Sequence, residues 1–419
     1  MVTPRGRVAL AAGAGARWAS RITGRGAGAM IGGLVAMTLD RSILGQLGAG
    51  RRSVVITGTN GKSTTTRMTA AALNTLGPVA TNAEGANMDA GLVAALAAAP
   101  DAQLAALEVD EMHVPHVSDA VHPSVVVLLN LSRDQLDRVG EINHIERTLR
   151  AGLARHPSAV VVANCDDVLM TSAAYDHPSV VWVAAGGSWA NDSVSCPRSG
   201  EVIVRDGVDW HSTGCDFKRP APQWSYDDTH LHGPDGLALP MTLALPGAVN
   251  RGNAAQAVAA AVAMGADPSA AVAAVSLVDE VAGRYRTVQV GDHTVRVLLA
   301  KNPAGWQEAL SMVDKQGAGV VIAVNGQVPD GEDLSWLWDV SFEHFADEPL
   351  ARRETGADTQ VVAAGERGTD LAVRLGYAGV DHTLVHDTLA AIKSCPPGHV
   401  EVIANYTAFL QLQRRLDRV

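Results

Sequence analysis

The 419-residue sequence predicts an α/β protein with mostly parallel strands, and three observations carry that reading. β-branched apolar runs alternate with alanine-rich segments, the pattern of successive strand–helix units. Hydrophobic residues make up 47% and charged residues 18%, enough apolar material for more than one core. One apolar run, Ser53–Thr57, enters a glycine-rich turn that is followed directly by a helical stretch. Strands are predicted in order at Ser53–Thr57, Leu104–Glu108, Val125–Asn130, Ala159–Asn164, Val295–Ala300, Gly319–Asn325, Thr359–Ala364 and Val400–Ala404. Helical stretches lie between them, among them Ser63–Leu76 and Asn253–Met264. The segment 188–235 interrupts this alternation. It is rich in Gly, Pro, Ser and Asp, holds Trp189, Trp210 and Trp224, and reads as a small β insertion. A new strand–helix series begins near Gly283–Val290. The expected organisation is therefore a basic N-terminal helical segment at 1–44, a middle domain at 45–285 carrying the insertion, and a C-terminal Rossmann-like α/β domain at 290–419.

Charge and cysteine content narrow the function. Net charge is −11, and Lys62, Lys218, Lys301, Lys315 and Lys393 are the only lysines, which argues against a protein that coats nucleic acid. Four cysteines do not make a disulfide framework for a chain of this length, so a reducing cytoplasm is expected. The sequence has no run of 18 uncharged apolar residues, so no transmembrane segment is expected. From Met1 to Leu39 there is no acidic residue, while Arg5, Arg7, Arg17, Arg21 and Arg25 recur. That pattern reads as a basic amphipathic helix packed on the first domain, with membrane-surface contact as the lesser alternative.

The turn after the first strand carries the chemistry. Gly58–Thr59–Asn60–Gly61–Lys62–Ser63–Thr64 is a shortened phosphate loop. Glycines let backbone N–H groups converge on phosphate oxygens, and the following helix adds its positive dipole end. Lys62 would reach the β and γ phosphates, and Ser63 or Thr64 would ligate Mg²⁺.

This heptad resembles the ATP loop of the Mur ligase superfamily, whose members join amino groups to carboxylates in peptidoglycan synthesis. Further segments resemble the superfamily in order: Asn82–Met88 as the loop facing the substrate, Leu107–Glu111, Asn130–Arg138, Asn164–Asp167, Pro246–Asn253 and Gly283–Arg284. The resemblance implies ATP and Mg²⁺, with Glu108 on the metal, Asn253 near the adenine and Arg284 at the γ phosphate. It also exposes departures. Gln135 stands where the superfamily has histidine, and the only middle-domain lysine outside the loop is Lys218, in the insertion. A second Mg²⁺ site is therefore expected to be altered.

Lys301–Gly305, Asp330–Asp339 and Asn405–Thr407 narrow the likeness to the MurT branch, the ligase-like subunits of lipid II isoglutaminyl synthases. That branch implies ATP-dependent conversion of the D-glutamate α-carboxylate of lipid II to D-isoglutamine. It implies a GatD-like class I glutaminase as partner and a cytoplasmic place at the inner face of the membrane. It further implies that an aspartate of the Asp-Gly-x-Asp turn completes the partner's Cys–His pair. Asp333 is the first candidate for that role, Asp339 the next and Asp330 the least. Related chains carry a four-thiolate zinc ribbon in the insertion. Here Cys196 and Cys215 remain while Ser199 and Ser212 replace the other two, a ligand count that argues against bound zinc. The insertion would then rest on its tryptophans or on a Cys196–Cys215 disulfide. A folylpolyglutamate-like ligase and a non-catalytic nucleotide-binding scaffold for a glutaminase stay open as alternatives.

Overall fold

The computed structural model describes residues 2–22, 29–82, 85–133, 139–187, 191–279, 285–314, 317–330, 333–347 and 360–417. The chain forms two compact units, Met1–Ser132 with Gly140–Asp279, and Arg133–Val139 with Glu280–Val419.

The first unit opens with helices α1 (Pro4–Ile22), α2 (Ala29–Leu39) and α3 (Ile43–Gly48). Ala9, Ala36, Ile43 and Leu47 enter the same apolar core as Leu92, Leu96 and Leu107, so the basic N-terminal segment is part of this unit and not a body of its own. Among the described residues no helix is long and apolar enough to cross a membrane. There follow β1 (Arg52–Thr57), α4 (Lys62–Leu73), β2 (Val79–Thr81), α5 (Asp89–Ala98), β3 (Leu104–Glu108) and α6 (Val114–Val121). The series continues with β4 (Val125–Leu128), α7 (Val139–Leu153), β5 (Val160–Asn164), α8 (Val168–Ala174) and β6 (Val180–Val183). These six strands form one parallel sheet in the order β2-β3-β1-β4-β5-β6. The strand order reverses direction at β1, and in open parallel sheets that reversal opens a crevice at the carboxyl ends of the strands. Val54, Val55 and Ile56 are fully buried, as expected for a central strand covered on both faces.

The insertion contributes a hairpin, β7 (Ile203–Asp206) with β8 (Asp209–Ser212), and a three-stranded antiparallel sheet of β9 (Ser225–Tyr226), β10 (His230–His232) and β11 (Ala238–Pro240). Cys196, Ile203, Trp210 and Phe217 pack together with Val168 of α8. The Trp210 indole N–H donates to the Cys165 carbonyl at 3.1 Å, and Arg219 pairs with Asp166 at 2.7 Å. Trp189 lies outside the described residues. All four cysteines are free, so the disulfide alternative is not taken: apolar packing and two polar ties seat the hairpin. Helices α9 (Ala248–Ala263) and α10 (Pro268–Ser276) complete the unit, and the alanine-lined face of α9 lies on α4.

The second unit holds β12 (Tyr285–Val290), β13 (His293–Leu299), α11 (Pro303–Ser311), β14 (Gly319–Ala323), α12 (His344–Asp347) and β15 (Gln360–Ala364). It ends with α13 (Gly368–Tyr377), β16 (Thr383–Leu384), α14 (Thr388–Ser394), β17 (Gly398–Ala404) and α15 (Tyr406–Leu416). Its sheet runs β12-β13-β17-β14-β15-β16, parallel except for the β12–β13 hairpin. Glu401 of β17 is fully buried. It accepts from Arg296 at 2.5 and 2.9 Å and from the Asp314 N–H at 3.3 Å, and His399 Nε2 stands 2.9 Å away. Removing one partner of such a pair strands the other without compensation. Glu401→Ala should therefore cost this unit about 3 kcal/mol, read as a lower midpoint in chemical denaturation.

Candidate active site

The site is built where β1 gives way to α4. Gly58 has φ +144° and Gly61 φ +80°. A Cβ on Gly58 would stand 2.8 Å from Leu129 Cβ and 2.9 Å from the Asn130 carbonyl oxygen, and one on Gly61 would stand 2.8 Å from Asn253 Oδ1. Both positions therefore require glycine, for conformation and for space. Gly58→Ala should weaken nucleotide binding at least about tenfold, or 1.4 kcal/mol, in a calorimetric titration with ATP and Mg²⁺.

Asn130 clamps the loop from the next strand. Its carbonyl accepts from the Thr59 N–H at 2.9 Å, its side-chain oxygen accepts from the Asn60 N–H at 2.9 Å, and its amide donates to the Asn60 carbonyl at 3.1 Å. This is why β4 stops at Leu128 and not at Asn130 as the sequence suggests: Asn130 turns out of the ladder to hold the loop. Asp167 caps α8 through the Met170 N–H at 2.8 Å and accepts from the Leu131 N–H at 3.0 Å. Burial pushes its carboxyl up to about 6 against those hydrogen bonds. The Asn164–Asp167 turn is thus a brace behind the loop.

Lys62 is buried in the loop. Its ammonium donates to the Gly58 carbonyl at 2.5 Å and the Thr59 carbonyl at 3.3 Å, and lies 3.4 Å from Glu111 Oε1. The parallel register sets Glu108 beside Ile56, so the end of β3 lies next to the loop. Glu108 is buried, and its backbone is held on both sides by Asn82: the Glu108 N–H donates to Asn82 Oδ1, and Asn82 Nδ2 donates to the Glu108 carbonyl, each at 2.8 Å. The Asn87 amide reaches Glu108 Oε1 at 3.5 Å. A Cβ on Gly85 would stand 3.9 Å from Ser63 Oγ, which lays the Asn82–Met88 turn beside the start of α4. Ala83 and Glu84 of that turn are outside the described residues.

The fold therefore gathers Gly58, Thr59, Asn60, Gly61, Lys62, Ser63, Thr64 and Glu108 at one place. The glycine turn and helix start could hold a triphosphate, and Ser63 or Thr64 with Glu108 could hold a hard cation by oxygen alone. Asn253 is buried against Gly61, where its amide donates to Asn250 Oδ1 at 3.4 Å. The resemblance implies a place near the adenine for Asn253, and the structure brings its side chain against Gly61 of the loop. Arg284 lies outside the described residues, as do Gln135 and its neighbours 134–138. Glu111 and the clamping role of Asn130 were not foreseen. Only the register across β1, β3 and β4 brings them to the loop.

In the second unit the three aspartates separate. Asp330 accepts from the Thr407 N–H at 2.9 Å and from its hydroxyl, tying the turn to α15. Asp339 has a buried oxygen with no hydrogen-bond partner among the described residues. Asp333 is exposed and accepts from the Ser335 N–H at 2.8 Å. The hydrogen bonds from Ser335 hold its carboxyl below the usual carboxylate range. Arg374 of α13 anchors the chain from Leu337 to Glu343, donating to the Leu337 and Val340 carbonyls at 3.1 and 2.8 Å and pairing with Glu343 at 2.8 Å. Asp333, Trp338, Val373 and Arg374 line a concavity of about 360 Å³, with Trp338 57% and Tyr377 76% exposed.

At the insertion's four ribbon positions, the Ser199 and Ser212 hydroxyls lie 3.0 Å apart and the Ser199 N–H donates to Cys196 Sγ at 3.4 Å, while Cys215 is exposed. Burial alone would raise the Cys196 thiol, but hydrogen bonds donated to its sulfur by the Ser199 and Ser212 hydroxyls and by backbone N–H groups bring it down to about 7.

A doubly wound sheet with a glycine loop at its switch point defines the first unit as a phosphate-binding α/β domain. Residues 56–261 match the Mur ligase middle domain, and residues 299–409 match the MurT ligase C-terminal domain. The chain is 28% identical to the lipid II isoglutaminyl synthase (glutamine-hydrolyzing) subunit MurT of Streptococcus pneumoniae over 93% of both chains. It is 27% identical to the subunit of the same name from Staphylococcus aureus over 96% of both. Among solved structures, a pseudomurein peptide ligase type C from Methanothermus fervidus aligns with a TM-score of 0.69 at 17% identity, covering 90% of this chain and 80% of that one. MurF from Acinetobacter baumannii aligns with a TM-score of 0.63 at 20% identity, covering 92% and 80%. These structures share the fold. The chain belongs to the Mur ligase family, in its MurT branch.

Proposed function

We propose that the chain is the ATP-dependent ligase subunit of a lipid II isoglutaminyl synthase. It converts the α-carboxylate of the D-glutamate in lipid II to a carboxamide, with ammonia released from glutamine by a GatD-like class I glutaminase. One observation carries the reading: a MurT-type C-terminal sequence accompanies a phosphate loop whose buried Lys62 lies 3.4 Å from the buried Glu111, just past the strand end that carries Glu108.

A carboxylate is a poor acyl donor because its leaving group would be oxide. In the proposed reaction its oxygen takes the γ-phosphoryl group of ATP as the β–γ bridge breaks and ADP departs. Ammonia then forms the C–N bond through a tetrahedral intermediate, phosphate leaves with the C–O bond, and the nitrogen gives up its proton. The backbone N–H groups of the loop and the start of α4 hold the phosphates. Lys62 leaves its loop carbonyls to neutralise the β and γ phosphates, and Glu111 holds the ammonium at the loop until then. Ser63 or Thr64 with Glu108 would hold Mg²⁺, whose charge offsets that of the transferring group. From the family resemblance Asn253, which stands at Gly61, is assigned to the adenine end of the nucleotide and Arg284 to the γ phosphate. No protein nucleophile is needed.

The surface around Asp333 suits the glutaminase. It combines an exposed carboxylate with exposed aromatic side chains, which are enriched at binding hot spots. Work at the inner face of the membrane is supported by α1 and α2, where Trp18 is 68% and Leu34 61% exposed in a segment whose charged residues are all arginine. The test is reconstitution of the chain with a class I glutaminase, lipid II, ATP, Mg²⁺ and glutamine, followed by mass spectrometry. One carboxamide per lipid II, with matching ADP, is expected. ADP release without any amide would overturn the reading.

A further inference from the structure

Apart from the phosphate loop, three metal-ligating side chains converge where α5 and α6 begin. Asp89 is the first residue of α5, His113 precedes α6 and His116 lies in its first turn. His113 Nδ1 stands 3.0 Å from Asp89 Oδ1, and His116 Nε2 stands 2.8 and 2.9 Å from the two Asp89 oxygens. The two imidazoles meet edge to face with centroids 5.0 Å apart. One donor atom from each residue lies within 4.8 Å of the others, and among the described residues this is the one such gathering of three.

We propose that Asp89, His113 and His116 form a binding site for a divalent transition metal of the zinc class. Two imidazole nitrogens and one carboxylate suit zinc and its neighbours, whereas Mg²⁺ and Ca²⁺ prefer oxygen alone. Three protein donors leave further coordination positions to solvent. The side chains of Asp89, His113 and His116 are 23%, 28% and 50% exposed, so an ion reaches them from solvent without opening the core. The donors also need little reorganisation, because all three already point at one spot.

The site is tied to the active-site segments through the backbone. The His113 N–H donates to the Asp110 carbonyl at 2.9 Å, and the Asp110 N–H donates to the Asn87 carbonyl at 3.1 Å. An ion held here joins the starts of α5 and α6. It thereby braces the Asn82–Met88 turn, whose Asn82 and Asn87 hold Glu108. This differs from the insertion's cysteines, which offer sulfur in another part of the fold.

The full chain, stripped with chelator, is titrated with Co²⁺ and then with Zn²⁺ in competition. Expected are one equivalent of Co²⁺ with visible d–d bands and no thiolate charge-transfer band, displacement by Zn²⁺, and a higher melting temperature with Zn²⁺. Hydrogen exchange should slow across residues 85–92 and 110–117. His116→Ala, a change at a half-exposed position, and Asp89→Asn should each weaken binding at least about 100-fold with an unchanged circular dichroism spectrum. Affinity unaltered in both variants, a spectrum showing thiolate ligation alone, or failure to retain either ion would overturn the proposal. The cluster would then be two imidazoles hydrogen-bonded to a carboxylate.

Discussion

Lys62→Ala is expected to lower ATP-dependent amidation by about 10²–10³-fold or more while the first unit stays folded. The lysine brings the only full positive charge inside the loop: its ammonium lies among the Gly58 and Thr59 carbonyls and beside Glu111. Phosphoryl transfer depends chiefly on charge neutralisation and alignment, so losing that charge acts on the transition state more than on folding. Truncation also leaves Glu111 buried without its cation, which should lower the melting temperature by a few degrees. A double variant, Lys62→Ala with Glu111→Gln, should recover stability without recovering amidation. Steady-state amidation and thermal unfolding of the two variants separate the effects. Wild-type turnover in Lys62→Ala would remove the loop from the reaction.

Asp333→Asn should reduce glutamine-dependent amidation by roughly 10³–10⁴-fold, the scale seen when a carboxylate orienting a catalytic imidazole becomes an amide. The same variant should still bind the glutaminase, and free ammonium at high concentration should still support product formation. The contrast comes from the turn itself. Asp330 is engaged by Thr407, whereas Asp333 is exposed beside the concavity and held ionised by hydrogen bonds from Ser335. Arg374 fixes the backbone just after it through Leu337, Val340 and Glu343, so the carboxylate is presented from an anchored segment. Glutamine hydrolysis by the complex is the deciding measurement. An unchanged rate would reduce Asp333 to a turn residue.

Local sequence was enough for the class of fold, the phosphate loop and the family. Those depend on short-range patterns: β-branched runs for buried strands, and glycines at the two loop positions with left-handed backbone. They also depend on a lysine that has no apolar reason to be there. Glu108 was singled out through the family resemblance of the Leu107–Glu111 segment that ends a strand. Glu111 and Asn130 acquired roles only in three dimensions, since parallel pairing of β1 with β3 and β4 sets residues 49 and 70 positions away against the loop. The short strands β2, β6 and β16 were missed for a related reason: so few residues carry too little periodicity, and sheet neighbours hold them. Asn253 was named from its motif, but its place at Gly61 results from α9 lying on α4. The sequence ranked Asp333 ahead of Asp330, and packing supplies the physical reason. They lie three residues apart with the same chemistry, and the position of α15 decides which carboxylate is consumed by the fold and which is left facing solvent.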